Sequence, residues 1–92
     1  MSTRTLPPGT YFWDDVRPGD TWETGEARIT AKLIDSFADL SGDRFEIHMD
    51  DEAARARGFR ARVAHGLLVL SLIDGLKNQA EVQMRAIASL GW

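Results

Sequence analysis

Asp43 and His48 stand five positions apart in "SGDRFEIHMD" (41–50), and the second of the chain's two histidines, His65, follows in "VAHG" (63–66). A free Asp titrates near ~3.9 and a free His near ~6.5, so at neutral pH the carboxylate is a ready base and the imidazole can give or take a proton. Together they can activate a water molecule, a step worth roughly 10² to 10⁴-fold in general acid–base catalysis. An ordinary reading stands beside this one: Asp43 caps a turn after Gly42, and His48 sits half-exposed in a loop. On a regular strand an odd spacing puts the two side chains on opposite faces, so the segment has to bend for them to meet.

Gly66 follows His65 at the expected start of an apolar helix. Helix N-termini leave N–H groups unpaired and carry partial positive charge, and glycine lets a ligand approach the backbone. Gly66 can thus hold a carbonyl oxygen that becomes negative during reaction, or it can simply ease entry to the helix while His65 packs. Arg55, Arg57, Arg60 and Arg62 suit phosphate groups, yet a basic cluster beside a short helix also serves as a solvated face. Asp74 lies within the apolar helix, where a carboxylate needs a partner or an edge. Phe45 and Trp22 read as core or pocket-wall residues. With two histidines and no HxxxH pairing, a zinc site would need carboxylates to fill it, and none is expected.

The elements that must position these groups follow from pattern. "YFWDDVRPGDTWETGEARI" (11–29) mixes aromatic and β-branched residues around a Pro18-Gly19 turn, which predicts strand on both sides, the second over roughly 21–29. Thr30 is a suitable N-cap for "AKLIDSFADLS", whose Leu33, Ile34, Phe37 and Leu40 recur at helical spacing, and Gly42 is placed to end that helix in a left-handed conformation. Residues 43–49 read as irregular. Asp50 or Asp51 caps a short helix ended by Gly58, and "FRARVAH" reads as extended. From Gly66, "GLLVLSLIDGLKNQAE" is apolar nearly all round, which predicts a buried helix, with a thin polar stripe at Ser71, Asp74 and Asn78. Gly75 costs about 1 kcal/mol against Ala in a helix interior, which suggests close packing there. "EVQMRAIASLGW" has the alternation of a strand start.

Ninety-two residues fit one small domain. With 43% apolar and 27% charged residues the chain has the composition of a soluble globular protein, and a net charge of −3 offers nothing that recruits nucleic acid or an acidic membrane. Cysteine is absent, which excludes disulfides, thiolate metal sites and a cysteine nucleophile. No stretch approaches the ~20 apolar residues of a membrane span, and the first 12 residues lack the order of a secretory signal; a cytoplasmic protein is expected. Residues 1–10 are expected to be a flexible tail that adds little packing. A lone core is marginal at this size, so oligomerisation or a missing remainder is expected.

The order of residues in "FADLSGDRFEIHMDDEAARARGFRARVAHGLLVLSLIDGL" (37–76) closely resembles the hydratase segment of MaoC-like proteins, the (R)-specific enoyl-CoA hydratases and dehydratases of the hot-dog fold. The resemblance rests on an S-G-D loop, a His five residues after the Asp, an acidic cap, the aromatic Phe59, and A-H-G-L before an apolar helix; it extends over roughly residues 12–92. It implies an α+β hot-dog fold, an antiparallel sheet wrapping a long central helix, with residues 11–92 forming the N-terminal portion of a single domain. It implies that Asp43 and His48 hold and activate the water that adds to a trans-2-enoyl thioester, giving an (R)-3-hydroxyacyl-CoA, or catalyse the reverse dehydration. The N–H of Gly66 would steady the enolate-like charge, and Phe45, Ala64, His65 and Asp74 would be substrate-binding positions. The implied substrate is an acyl-CoA or an acyl carrier protein thioester, with no cofactor, and the implied assembly is a homodimer or higher homo-oligomer.

The chain departs from the pattern in two respects, at three positions. The usual motif has Asn-Pro where this chain has Phe45 and Glu46, and Asp74 stands where simple short-chain hydratases have a helix serine. Phe45 resembles hydratase-like domains associated with phenylacetate degradation, which leaves open a hydratase or ring-opening hydrolase for an aromatic-derived CoA thioester. A non-catalytic acyl-thioester-binding subunit is the third reading. Family members continue with further strands, of which "ASLGW" would begin the first, so the sequence is expected to be a fragment.

Overall fold

In the computed structural model, which describes residues 3–86, local capping chemistry sets most helix ends. The chain forms β1 (Arg4–Thr5), β2 (Gly9–Tyr11), a 3₁₀ turn (Trp13–Asp15), β3 (Asp20–Thr21), α1 (Ala31–Ser41), α2 (Glu46–Met49), α3 (Asp51–Ala56), α4 (Gly66–Gln79) and β4 (Val82–Met84). It divides into two compact units, residues 27–74 and the pair of segments 1–26 and 75–92.

In the unit spanning 27–74, Thr30 caps α1 by accepting from the Leu33 N–H at 3.2 Å. Gly42 ends α1 with φ 78°, a conformation glycine adopts without a Cβ penalty, and its N–H donates to Ala38 O. Ile34 and Ala38 are the buried residues of α1, while Leu40 is 83% exposed. Leu40 was expected on the apolar face; at 3.6 residues per turn it points about 120° away from Ile34. The stretch 43–49, expected to be irregular, instead contains the single turn α2, whose last N–H link runs from Asp50 to Glu46 O at 3.0 Å. Asp50 caps α3 through the Ala53 N–H at 3.1 Å, and Gly58 follows with φ 94°.

α4 departs from its expected burial. Leu68 is buried, but Leu67 and Ile73 are 66% and 51% exposed. Leu67 shares a helical row with the exposed Ser71 and Asn78. No close packing meets Gly75 either, since a Cβ there would touch nothing within 4 Å.

In the other unit, β1 pairs with β3 and β2 with β4, and both ladders are parallel rather than the expected antiparallel. Within the stretch expected to be a tail, Arg4–Thr5 and the start of Gly9–Tyr11 are paired in ladders, and Leu6 is 4% exposed. Pro18-Gly19 does form a turn, with Asp20 N–H donating to Arg17 O at 3.0 Å. The strand expected over 21–29 stops at Thr21, and residues 22–29 have no ladder partner among the described residues. Trp22 lines a groove of about 420 Å³ with Tyr11, Trp13 and Met84. The strand anticipated in "EVQMRAIASLGW" appears as β4, whereas "ASLGW" lies outside the described residues.

Candidate active site

Ser41 to Phe45 form the turn that leads from α1 into α2. The Ser41 hydroxyl donates to Phe37 O at 2.7 Å and accepts from Asp43 N–H at 3.1 Å, which turns the chain off the end of α1. Asp43 Oδ1 accepts from Phe45 N–H at 3.2 Å. Asp43 thus caps a turn, as the ordinary reading had it, and that same turn starts α2 and brings His48 round. The bend required by the odd spacing is a single helical turn.

His48 is 8% exposed, not half-exposed in a loop. Its Nδ1 lies 2.8 Å from Val63 O. A carbonyl only accepts, so Nδ1 carries a proton, and in the neutral ring Nε2 carries the lone pair. Val63 N–H donates in turn to Ile47 O at 3.0 Å, which fixes the strand-like connection against α2. His65, the residue before α4, is 1% exposed, and its Nε2 lies 2.8 Å from the main-chain oxygen of Asp43. By the same logic its Nδ1 holds a lone pair, and that atom is buried without a partner. The two imidazoles stack with centroids 4.0 Å apart and planes 25° apart, and Phe37 lies against His65 at 4.9 Å.

Asp43, His48 and His65 each present one donor atom within 4.8 Å of the others. These are also the donor types of a divalent-cation site, with Asp43 supplying the carboxylate that two histidines alone would lack. Gly66 comes next in the chain, exposed at the first position of α4, where N–H groups have no intrahelical acceptor.

The remaining expected positions lie around this centre. Phe45 is 49% exposed and stands edge-on to the His48 ring at 6.1 Å. Arg57 lies 5.1 Å over the Phe45 ring while its Nε and a terminal nitrogen donate to Glu46 Oε1 at 2.9 and 2.7 Å. Phe45 and Glu46 are therefore tied together by one arginine. Ala64 and Asp74 are half-buried and outside the carboxylate–imidazole cluster; Asp74 lies roughly 12 Å along the helix axis from Gly66. His65, expected to touch substrate, is enclosed by other rings and braces Asp43.

Sequence reasoning missed three anchors: the carbonyls of Val63 and Asp43, which orient the two rings, and Arg62, whose Nε donates to His48 O at 2.5 Å. Main-chain acceptors leave no trace in residue type. Arg62 was legible only as one member of a basic cluster, of which Arg55 and Arg57 also turn out to hold the protein's own oxygens.

Residues 13–90 match the family described as MaoC like domain. The chain is 38% identical over 78 residues to Protein MaoC of Klebsiella aerogenes, an alignment that covers 85% of this chain and 23% of that protein. It is 41% identical over 51 residues to 3-hydroxyacyl-thioester dehydratase Z of Mycobacterium tuberculosis, covering 55% of this chain and 34% of that protein. To 3-hydroxybutyryl-CoA dehydratase of Methylorubrum extorquens it is 32% identical over 65 residues, covering 71% and 41%. The chain thus spans between about a quarter and two fifths of the length of these relatives. No solved structure matches it significantly. Among the described residues, no helix is long and apolar enough to cross a membrane.

Proposed function

The chain belongs to the MaoC-like domain family, and from that premise we propose that it carries the catalytic carboxylate and imidazole of a hydro-lyase acting on acyl thioesters, on CoA or acyl carrier protein. In this reading residues 11–92 are the N-terminal portion of a hot-dog domain. The observation that carries the proposal is the convergence of Asp43 and His48, with the His48 proton held on Nδ1 by Val63 O so that Nε2 is free to accept. The names of the relatives, 3-hydroxyacyl-thioester dehydratase and 3-hydroxybutyryl-CoA dehydratase, support the substrate class.

Asp43 and His48 hold a water between them. Its oxygen bonds to Cβ of a trans-2-enoyl thioester as one proton passes to His48 Nε2, and the pair returns a proton to Cα, so that the elements of water are added and an (R)-3-hydroxyacyl thioester results. Dehydration is the same path reversed. The thioester carbonyl, which gains negative charge as Cβ is attacked, lies against the N–H of Gly66, where the helix end favours an anion.

Hydration of crotonyl-CoA, followed as loss of enoyl absorbance, tests this. Asp43→Asn and His48→Ala should each lower the rate by at least about 10²-fold, and unchanged rates in both would overturn the assignment. One observation favours a second reading: Phe45 presents a half-exposed aromatic face beside His48, which suits an aromatic-derived CoA thioester. Turnover of such a thioester with crotonyl-CoA inert would select it, and binding of either without turnover would select a non-catalytic subunit.

A further inference from the structure

Arg62 is held in a way that the proposed chemistry does not use directly. Its side chain is only 17% exposed, and its side chain and backbone N–H together tie it to three helices. The backbone N–H of Arg62 donates to Asp51 Oδ1 in α3 at 2.9 Å, Nε donates to the main-chain oxygen of His48 in α2 at 2.5 Å, and a terminal nitrogen pairs closely with Asp35 in α1. The next residue, Val63, makes two further bonds to the same helical turn, its N–H to Ile47 O at 3.0 Å and its O to His48 Nδ1 at 2.8 Å. The last carbonyls of a helix have no intrahelical donor, so the guanidinium satisfies the carbonyl of His48 itself, the residue whose ring must be aimed. Arg62 thus grips the main chain of His48 while Val63 grips its ring.

We infer that Arg62 is a positioning residue for His48: it holds the His48 backbone at the depth at which Nδ1 reaches Val63 O and the ring stays beside Asp43. This rests on the catalytic role proposed for His48, but the geometry it asserts can be read without any turnover. A lysine at 62 keeps the charge and lacks the planar fork that donates to Asp35 and to His48 O at once. Misplacement of a catalytic group by about 1 Å is worth on the order of 10²-fold in rate.

The test uses the full chain with Arg62→Ala, Arg62→Lys and, as a control, Arg60→Ala, whose side chain lies in the same basic stretch outside this network. Long-range ¹⁵N–¹H spectra of the His48 ring report the tautomer. In the parent chain and in R60A, Nδ1 is protonated and its proton exchanges slowly. In R62A and R62K that signature is lost, with helical circular dichroism retained, and millimolar guanidinium restores it in R62A. In the hydration assay kcat falls about 10²-fold in both variants with KM changed less than threefold. A His48 ring that keeps its protonated, slowly exchanging Nδ1 in R62K overturns the inference, whatever the rates do, as does R62A that unfolds while R62K behaves as the parent. Loss of the signature in a chain whose parent form hydrates no enoyl thioester would sustain the positioning role and remove the function proposed for the site.

Discussion

Gly66→Ala separates what the fold needs at the start of α4 from what chemistry needs there. A Cβ built at Gly66 meets nothing within 4 Å, and its backbone lies outside the left-handed region. Packing and backbone strain therefore place no demand for glycine at this position. Alanine is favoured over glycine by up to about 1 kcal/mol in a helix, and it loses less unfolded-chain entropy, a gain of about 0.4–1 kcal/mol at a compatible site. The variant should be as stable as the parent or more stable by up to about 1 kcal/mol, which for a chain of this size is a rise in melting temperature of roughly 4–8 °C. The N–H remains, but a methyl group now stands beside it, in the path of the thioester carbonyl in the proposed mechanism. Removing an oxyanion donor outright costs about 10² to 10³-fold, so shielding it should lower kcat/KM by at least about 10-fold. Thermal unfolding followed by circular dichroism and the crotonyl-CoA assay, on one preparation, read both numbers. A variant that melts several degrees lower yet keeps its rate would refute the reasoning on both counts.

Leu6→Ala should lower the unfolding free energy by roughly 2–5 kcal/mol in urea, because Leu6 is buried; a loss under about 0.5 kcal/mol would mean that the first residues pack weakly. His65→Phe should cost less stability than His65→Ala, since phenylalanine keeps the stack on His48 and Phe37 and removes the orphaned Nδ1, forfeiting only the bond to Asp43 O; the reverse order in chemical denaturation would show that this bond dominates. The Arg4 guanidinium, donating to both oxygens of Asp20, holds that carboxyl below the usual range, helped by the Arg17 N–H. A carboxyl depressed in the folded state adds stability above its unfolded value of ~3.9 and loses it as pH falls through the folded value. Arg4→Met should therefore move the Asp20 carboxyl titration, read by ¹³C NMR, upward toward ~3.9.

Helix ends were legible because capping is local: Thr30, Gly42 and Asp50 each act within four residues of the backbone groups they satisfy. The nearness of Asp43 and His48 was legible less from their spacing, which left a turn-capping Asp43 open, than from the order of residues over 37–76 that resembles the MaoC-like segment. The extent of strand after Thr21 was not, because a strand exists only with a partner, and pairing such as Gly9 with Val82 joins residues far apart in the chain. Nor was the burial of α4, since an all-apolar helix states what it tolerates and its surroundings decide what it receives: Leu67 is exposed and Leu68 buried. Arg62 escaped because nothing in its neighbours distinguishes an arginine that donates to His48 O from one that faces water.

The imidazoles of His48 and His65 are aimed by the carbonyls of Val63 and Asp43, groups that no side-chain exchange deletes. Orientation is inherited from the route of the chain. Residue 63 is thus free to drift among side chains that keep the route, whereas one amino acid inserted between Gly58 and Val63 would swing its carbonyl away and release the ring of His48. Length in that connection, more than identity, is what descent must preserve.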